Sequence, residues 1–211
     1  MKVVSTNIAE PRTVLKNGKE VQTGIYKSPV SAGIYLGKTD VKNDSVIDRK
    51  FHGGIDKACY LYSADHYPFW KKQYPNLDWH LGMFGENLTI EGLDESKIQI
   101  GDTFEIGEAT IQVSEPRRPC SILGIRFNDK GLVKKFMNTP YPGIYVRVLE
   151  NGLVKSGNEM KKIYSTGDSL TIKDVYSIFS DNSKNMPLIK MALNEPHLSE
   201  DCKNSIRKRF K

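Results

Sequence analysis

A single cysteine ends the motif Pro116-Arg117-Arg118-Pro119-Cys120. The residues from Ala109 to Ser114 before it alternate between apolar and polar side chains, which predicts a half-buried strand. Because proline lacks a backbone donor and biases the preceding residue toward extended geometry, the strand should end at this motif. A thiol beside two guanidinium groups can have a lowered pKa and act as a nucleophile or a soft metal ligand. The alternative is a buried cysteine in a loop whose arginines face water.

A glycine pair lies in a second, basic motif, Asp48-Arg49-Lys50-Phe51-His52-Gly53-Gly54-Ile55-Asp56-Lys57-Ala58. Adjacent glycines let the backbone approach a ligand closely and turn N–H groups onto an anion. Arg49, His52 and Lys57 add positive charge and hydrogen-bond donors around this pair. The motif lacks both the Walker A ending and the Gly-x-Gly-x-x-Gly pattern. It predicts either an anion-binding loop or a glycine turn that carries solvated charges.

Two other polar positions lie beside predicted irregularities of the backbone. Pro29 interrupts a β-prone run, so Lys27 and Ser28 stand at a kink or bulge, where a lysine can point into a pocket or face water. Glu86 and Asn87 lie at a bend before a short strand. They can line a polar pocket, or they can satisfy the backbone groups of the turn.

Composition limits the class of protein. The chain has 211 residues, of which 38% are hydrophobic and 27% charged, and this suits one large domain or a medium domain with an appendage. Its three cysteines are odd in number and widely spaced, which argues against a disulfide framework or a structural zinc site. No apolar run reaches membrane-spanning length and the first residues lack a signal-peptide core, so we expect a cytoplasmic protein with no membrane partner. The formal charge of +6 favours an anionic ligand or nucleic acid.

The elements that must position these motifs are mainly strands. Many short β-prone runs alternate with glycine turns, and hairpins are predicted at Asn17-Gly18, Gly107-Glu108 and Asn151-Gly152. From Ser169 onward the pattern becomes helical, with a predicted break at residues 181–183. We therefore predict a mainly β fold with an α appendage: an antiparallel β-barrel over residues 1–165, followed by a small three-helix C-terminal domain over residues 166–211.

The ordered set of motifs resembles the MOSC domain. The resemblance rests on Lys27-Ser28-Pro29, the basic glycine motif, Phe84-Gly85-Glu86-Asn87-Leu88, Gly101-Asp102 and the motif that ends at Cys120. It is closest to the stand-alone bacterial YiiM-like subgroup, which carries a three-helix domain at its C-terminus. The resemblance implies a barrel that holds the molybdenum cofactor (molybdopterin), a pyranopterin dithiolene with a terminal phosphate. It also implies that Cys120 is the catalytic residue and the protein ligand of molybdenum.

Chemistry and motif position then assign the remaining contacts to the cofactor. We expect its phosphate and pterin to be bound by Lys27, Ser28, Arg49, His52, Gly53, Gly54, Lys57, Asn87, Arg117 and Arg118. For the YiiM-like subgroup, the resemblance implies reduction of small N-hydroxylated compounds such as hydroxylaminopurine. No flavin, haem or iron–sulfur motif is visible in the sequence, so a separate reductase should supply the electrons.

Two rival interpretations remain. The first is a carrier of the cofactor or of sulfur, in which Cys120 binds its cargo without turnover. The second is a nucleic-acid-binding module that uses the basic C-terminal residues Lys203, Arg207, Lys208, Arg209 and Lys211. We disfavour the second, because a terminal basic helix is usually a solvated face that complements the helix dipole. The sequence predicts no oligomeric state.

Overall fold

The structure, a computed structural model, describes residues 1–180 and 184–210 and is mostly β with several helices. The strands are β1 (Lys2–Ile8), β2 (Arg12–Lys16), β3 (Lys19–Thr23), β4 (Ser28–Pro29), β5 (Ile34–Leu36), β6 (Cys59–Ser63), β7 (Leu88–Glu91), β8 (Thr103–Ile106), β9 (Ala109–Pro116), β10 (Ile144–Glu150), β11 (Gly152–Val154) and β12 (Met160–Tyr164). The helices are α1 (Arg49–His52), α2 (Tyr67–Gln73), α3 (Ser121–Arg126), α4 (Leu132–Met137), α5 (Ile172–Ser180), α6 (Met186–Asn194) and α7 (Glu200–Arg209). Short 3-10 turns span Ile55–Lys57 and Ala64–His66.

The main sheet has eight strands in the order β12-β8-β9-β10-β6-β7-β1-β4. Its pairs are antiparallel except β6 and β7, which run parallel because α2 crosses over between them. The predicted all-antiparallel sheet is therefore wrong at this pair. A predicted closed barrel is not observed either, since no ladder joins β12 to β4 within the described ranges. An isolated bridge between Lys2 and Glu159 nevertheless brings the start of β12 beside β1, so the sheet is strongly curved.

Two of the three predicted hairpins are observed, and each of their turns contains a residue with a positive φ angle. Asn17 and Gly18 have φ angles of 51° and 76° and join β2 to β3, as predicted. Gly107 has a φ of 57° and joins β8 to β9, also as predicted. The hairpin predicted at Asn151-Gly152 is wrong, because β11 pairs with β5 instead of returning along β10. Neither residue of that pair has the positive φ that a tight two-residue hairpin requires.

Three helices follow the sheet in the chain and share its apolar core. Val175 of α5, Ile189 of α6 and Ile206 of α7 are buried in the same apolar cluster as strand residues such as Val113 and Val146. The break predicted at residues 181–183 lies outside the described residues. The proposed division into two domains at residue 165 stays a prediction. In the part of the chain that the structure describes, no helix is both long and apolar enough to cross a membrane.

Candidate functional site

The thiol of Cys120 lies between the end of a strand and the start of a helix. β9 ends at Pro116, and Cys120 is the N-cap of α3 with extended backbone angles of −105° and 163°. Its carbonyl accepts the backbone N–H of Leu123 at 3.1 Å, which opens the first turn of the helix. The strand end was predicted from the two prolines, whereas α3 was not predicted.

The environment of Cys120 favours a thiolate. Burial raises the pKa of this thiol, but a hydrogen bond from the His52 side chain and the nearby Arg117 guanidinium lower it by more, to about 6. Cys59 and Cys202 are both 1% exposed, and burial raises the pKa of each thiol well above its ordinary value. Of the three cysteines, Cys120 therefore has the nucleophilic, metal-binding form available at neutral pH.

Cys120 faces a cavity of about 280 Å³. The predicted site residues that line this cavity are Lys27, His52, Lys57, Asn87, Arg117 and Cys120. They come from four separate motifs of the sequence, so the fold brings those motifs together. Tyr145 on β10 also lines the cavity, and its hydroxyl oxygen lies 3.3 Å from Nδ1 of His52. Burial raises the pKa of Tyr145 to about 12, which keeps this hydroxyl protonated.

The other predicted site residues lie outside the cavity lining. Ser28 is exposed on the edge strand β4, and Arg49 is exposed and pairs with Asp40 at 2.9 Å. Arg118 is partly exposed, lies over the ring of Phe179 and approaches Asp201 at 3.6 Å. Motif position suggested that these cations point inward, but surface carboxylates hold the two arginines at the protein surface.

The glycine pair lies beside the cavity without lining it. Gly53 ends α1, and a Cβ there would come within 3.3 Å of the Arg49 backbone. Gly54 has a φ of +96° and open space where a Cβ would stand. The pair therefore makes the turn from α1 into the 3-10 turn that carries Lys57.

Arg117 is a buried cation with an unsatisfied nitrogen at the cavity. Its guanidinium carbon lies 5.3 Å from the ring centroid of Tyr60 and 5.4 Å from that of Phe136. Its Nη1 atom is buried and has no hydrogen-bond partner among residues 1–180 and 184–210. An unpaired buried donor costs free energy, so this nitrogen calls for an acceptor that the described chain does not supply.

Lys27 points into the cavity, which is one of the two alternatives that the sequence left open, and its charge is paired there. Its ammonium group is buried and forms an ion pair with Asp44, and Nδ2 of Asn87 donates to the same carboxylate at 2.9 Å. Burial lowers the pKa of Lys27, although the pairing with Asp44 opposes this. Lys27 and Asn87 thus both bind the carboxylate of Asp44 and form one polar wall of the cavity. The sequence analysis did not identify Asp44 as a site residue.

Lys57, a second lysine of the cavity lining, is also paired with carboxylates. Its Nζ atom lies 3.2 Å from Glu115 and 2.7 Å from Asp201, a residue in the first turn of α7. Burial lowers the pKa of Lys57, but these two carboxylates raise it by more, so the ammonium charge is retained. The hydroxyl of Ser199, the N-cap of α7, donates to Glu115. The C-terminal helix therefore contacts the cavity-lining Lys57 through Asp201, although no residue of α7 itself lines the cavity.

Glu86 adopts one of the two roles that the sequence left open. It is fully buried and accepts hydrogen bonds from the backbone N–H groups of Gly82 and Phe84, at 2.9 and 3.0 Å. It thus satisfies the turn, while Asn87 faces the cavity. The cavity residues that sequence reasoning missed include Lys16, Asp44, Tyr60 and Tyr145, none of which stands in a motif with a local signal.

Comparison with known proteins places these features in a family. The profile described as MOSC domain matches residues 48–161. The protein YflK of Bacillus subtilis (strain 168) is 37% identical over 98% of this chain and 93% of its own. A protein named Reductase from Gibberella moniliformis is 32% identical over 67% of this chain but only 26% of its own. The crystal structure of YiiM from Geobacillus stearothermophilus superposes with a TM-score of 0.83 at 30% identity, covering 100% of this chain and 99% of that one.

Proposed function

Because the chain belongs to the MOSC domain family, we propose that its cavity binds the molybdenum cofactor and that the protein reduces N-hydroxylated compounds. MOSC domains are associated with this cofactor. One relative, which this chain matches over 26% of that protein's length, is named a reductase, and this is consistent with the proposed reduction. The proposed substrates are small molecules with an N–OH group, such as hydroxylaminopurine or an amidoxime.

The residues around the cavity fit such a cofactor in two respects. The Cys120 thiolate is a soft ligand of the kind that suits a metal already bound by dithiolene sulfur. The buried guanidinium of Arg117 lines the cavity, and its positive charge suits an anionic ligand, because a charge-assisted hydrogen bond is stronger than a neutral one. The observation that carries the proposal is this combination of a thiolate and an unsatisfied buried cation at one cavity.

The residues of the chain have distinct parts in the proposed reaction. Cys120 would hold the metal, His52 would orient the Cys120 sulfur through its hydrogen bond, and Arg117 would hold an anionic part of the cofactor. When bound, the cofactor supplies the two-electron redox chemistry. In the overall reaction the N–O bond breaks, and R–NH–OH with two electrons and two protons gives R–NH₂ and water. The electrons come from a separate reductase in the cell, or from a chemical reductant in the assay.

The first test is the content of protein purified from a host that makes the cofactor. We expect molybdenum and a fluorescent oxidised pterin in near-equal amounts, together with reduction of hydroxylaminopurine when a chemical reductant is added. Protein that contains neither component despite full cofactor supply would refute the proposal. Protein that is loaded but reduces no N-hydroxylated compound would instead favour the carrier of cofactor or sulfur.

The three cysteines provide a matched set of variants. Cys120→Ser should abolish reduction while the fold stays intact, because a hard hydroxyl replaces a soft thiolate. Cys59→Ala and Cys202→Ala should each cost some stability, because both thiols are buried in the apolar core. In both of these variants, turnover per bound molybdenum should be largely retained. Full activity in Cys120→Ser would overturn the assigned role of this thiol.

A further inference from the structure

The cavity has a floor and a rim with different chemistry. Its floor is buried and polar and includes Lys27, Asn87 and Arg117. Its rim is partly exposed and is lined by apolar side chains from three segments: Val21, Val46, Ile47 and Ile122. Ile47 is 43% exposed, although it is a large apolar residue. Apolar walls around an opening suit the flat ring of an organic ligand, because such walls bury apolar surface.

A lysine stands at this rim without a partner. Lys16 ends β2, in a hairpin that forms a two-stranded sheet of its own and packs against α3. It lines the cavity and is partly buried. No carboxylate in the described part of the chain pairs with it, whereas Lys27 and Lys57 on the floor are both paired. Lys16 is therefore available to bind an anion at the rim.

The cavity lining also includes a residue of the opposite charge. Asp48 precedes α1, is exposed and lines the same cavity. A ligand with one anionic end would be attracted toward Lys16 and repelled from Asp48. The two charges would therefore orient such a ligand within the apolar opening.

We propose that the rim binds the body of the substrate and selects a flat, largely apolar ring whose far end carries an anionic group, a phosphate or a carboxylate. Lys16 is the specificity residue for that anionic group. This inference rests on the proposed function, because it places the N–OH group toward Cys120 and the anion toward the hairpin. For N-hydroxylated purines, it predicts that the nucleoside 5′-monophosphate is a better substrate than the uncharged nucleoside.

The hairpin itself supplies a matched control for the test. Lys19 is the cross-strand partner of Lys16 in the register of β2 and β3 and carries the same charge, but it does not line the cavity. We would measure kcat/KM for the monophosphate and for the nucleoside of N6-hydroxyadenine in the loaded wild-type protein, in Lys16→Ala and in Lys19→Ala. The wild type should prefer the monophosphate about fivefold, as a partly exposed ion pair allows. This preference should weaken as salt is added.

The two variants should then differ. Lys16→Ala should bring the ratio of the two kcat/KM values close to one, Lys16→Arg should restore the preference, and Lys19→Ala should keep it. No preference in the wild type, or an equal loss in Lys16→Ala and Lys19→Ala, would overturn the inference.

Two further measurements separate the alternatives. An alternative is that Lys16 binds the phosphate of the cofactor. In that case the Lys16→Ala variant would lose pterin on purification but keep its preference for the monophosphate over the nucleoside. That result would also overturn the inference. Adenosine 5′-monophosphate, which has no N–OH group, tests binding by calorimetry without turnover. If it binds the loaded protein more tightly than adenosine in a Lys16-dependent way while no N-hydroxylated compound is reduced, the proposed reduction fails and the binding site stands. If reduction occurs without any preference, only the inference about the rim fails.

Discussion

Among single residues, the charges around the cavity differ in whether the protein already neutralises them. Lys27 is paired with Asp44, and Lys57 with Glu115 and Asp201. Arg117 is buried to the same degree, yet its Nη1 has no acceptor within the described ranges. Burying an unsatisfied charged donor destabilises a protein, so its retention in the cavity is best explained by a ligand that satisfies it.

The pKa of Cys120 can be tested directly in cofactor-free protein. Because only the thiolate reacts and the pKa of this thiol is about 6, the rate of alkylation by iodoacetamide should rise with pH and level off above a midpoint near 6. His52→Gln should move this midpoint upward, because it replaces a hydrogen-bonding imidazole that lowers the pKa. Cys202, which is buried with a raised pKa, serves as the internal control and should not react. A midpoint in the ordinary range of cysteine, about 8.5, would contradict the assigned environment.

The two neighbouring arginines should respond differently to the same substitution. Arg117→Met removes an unsatisfied buried donor and keeps an apolar stem of similar length, so the melting temperature should stay the same or rise. The same change should lower cofactor affinity by more than tenfold, because a charge-assisted hydrogen bond is worth about 1.5–3 kcal/mol. Arg118→Met is the matched control, since Arg118 lies outside the cavity lining and should leave cofactor content unchanged. Equal cofactor loss in both variants would show that general positive charge, not Arg117, holds the ligand.

Among the elements, α7 connects the C-terminal helices to the wall of the cavity. Its N-cap, Ser199, accepts the backbone N–H of Cys202 at 3.0 Å and donates to the buried Glu115. Ser199→Ala removes both interactions, so we expect a loss of about 2 kcal/mol in the free energy of unfolding, measured by urea denaturation. Asn185→Ala is the control at the N-cap of α6. Asn185 is exposed, and among the described residues its side chain accepts only the backbone N–H of Leu188, so this substitution should cost less, about 1 kcal/mol. A smaller effect at Ser199 than at Asn185 would argue against its double role.

Elements governed by local chemistry could be predicted from the sequence, whereas pairings between distant segments could not. The turn at Asn17-Gly18 follows from two residues that tolerate positive φ, and the end of β9 follows from its prolines. The pairing of β11 with β5 joins segments more than a hundred residues apart, and no local pattern specifies it. The parallel pair of β6 and β7 was missed because the helical residues between them were not interpreted as a crossover.

The same distinction applies to the site. Cys120, Arg117 and His52 stand in motifs whose residue types already indicate an anionic ligand and a soft metal. Asp44 lines the cavity, and Asp201 pairs with the cavity-lining Lys57, only through tertiary packing, and nothing next to them in the sequence marks them as site residues. Reading charge from motifs alone therefore overestimated how many cations are available to a ligand.

At the scale of the whole molecule, the sheet and the C-terminal helices share one apolar core. We therefore expect the intact chain to unfold in a single cooperative transition, seen at the same urea concentration by far-ultraviolet circular dichroism and by tryptophan fluorescence. A chain cut after residue 165 should lack a cooperative transition, since it exposes the buried surface that meets α5 and α7. Two separate transitions in the intact chain would instead support independent domains on either side of that residue.

The contact between Asp201 and Lys57 has a consequence for how the protein is made. A ribosome synthesises Lys57 and Glu115 long before Ser199 and Asp201, which follow every residue of the cavity lining in the chain. While α7 is still inside the ribosomal tunnel, Lys57 lacks one of its two carboxylate partners and Glu115 lacks the Ser199 hydroxyl. The nascent chain therefore presents a cavity whose Lys57 is not yet fully paired. On the proposed function, insertion of the cofactor into a finished cavity must wait until α7 has left the tunnel.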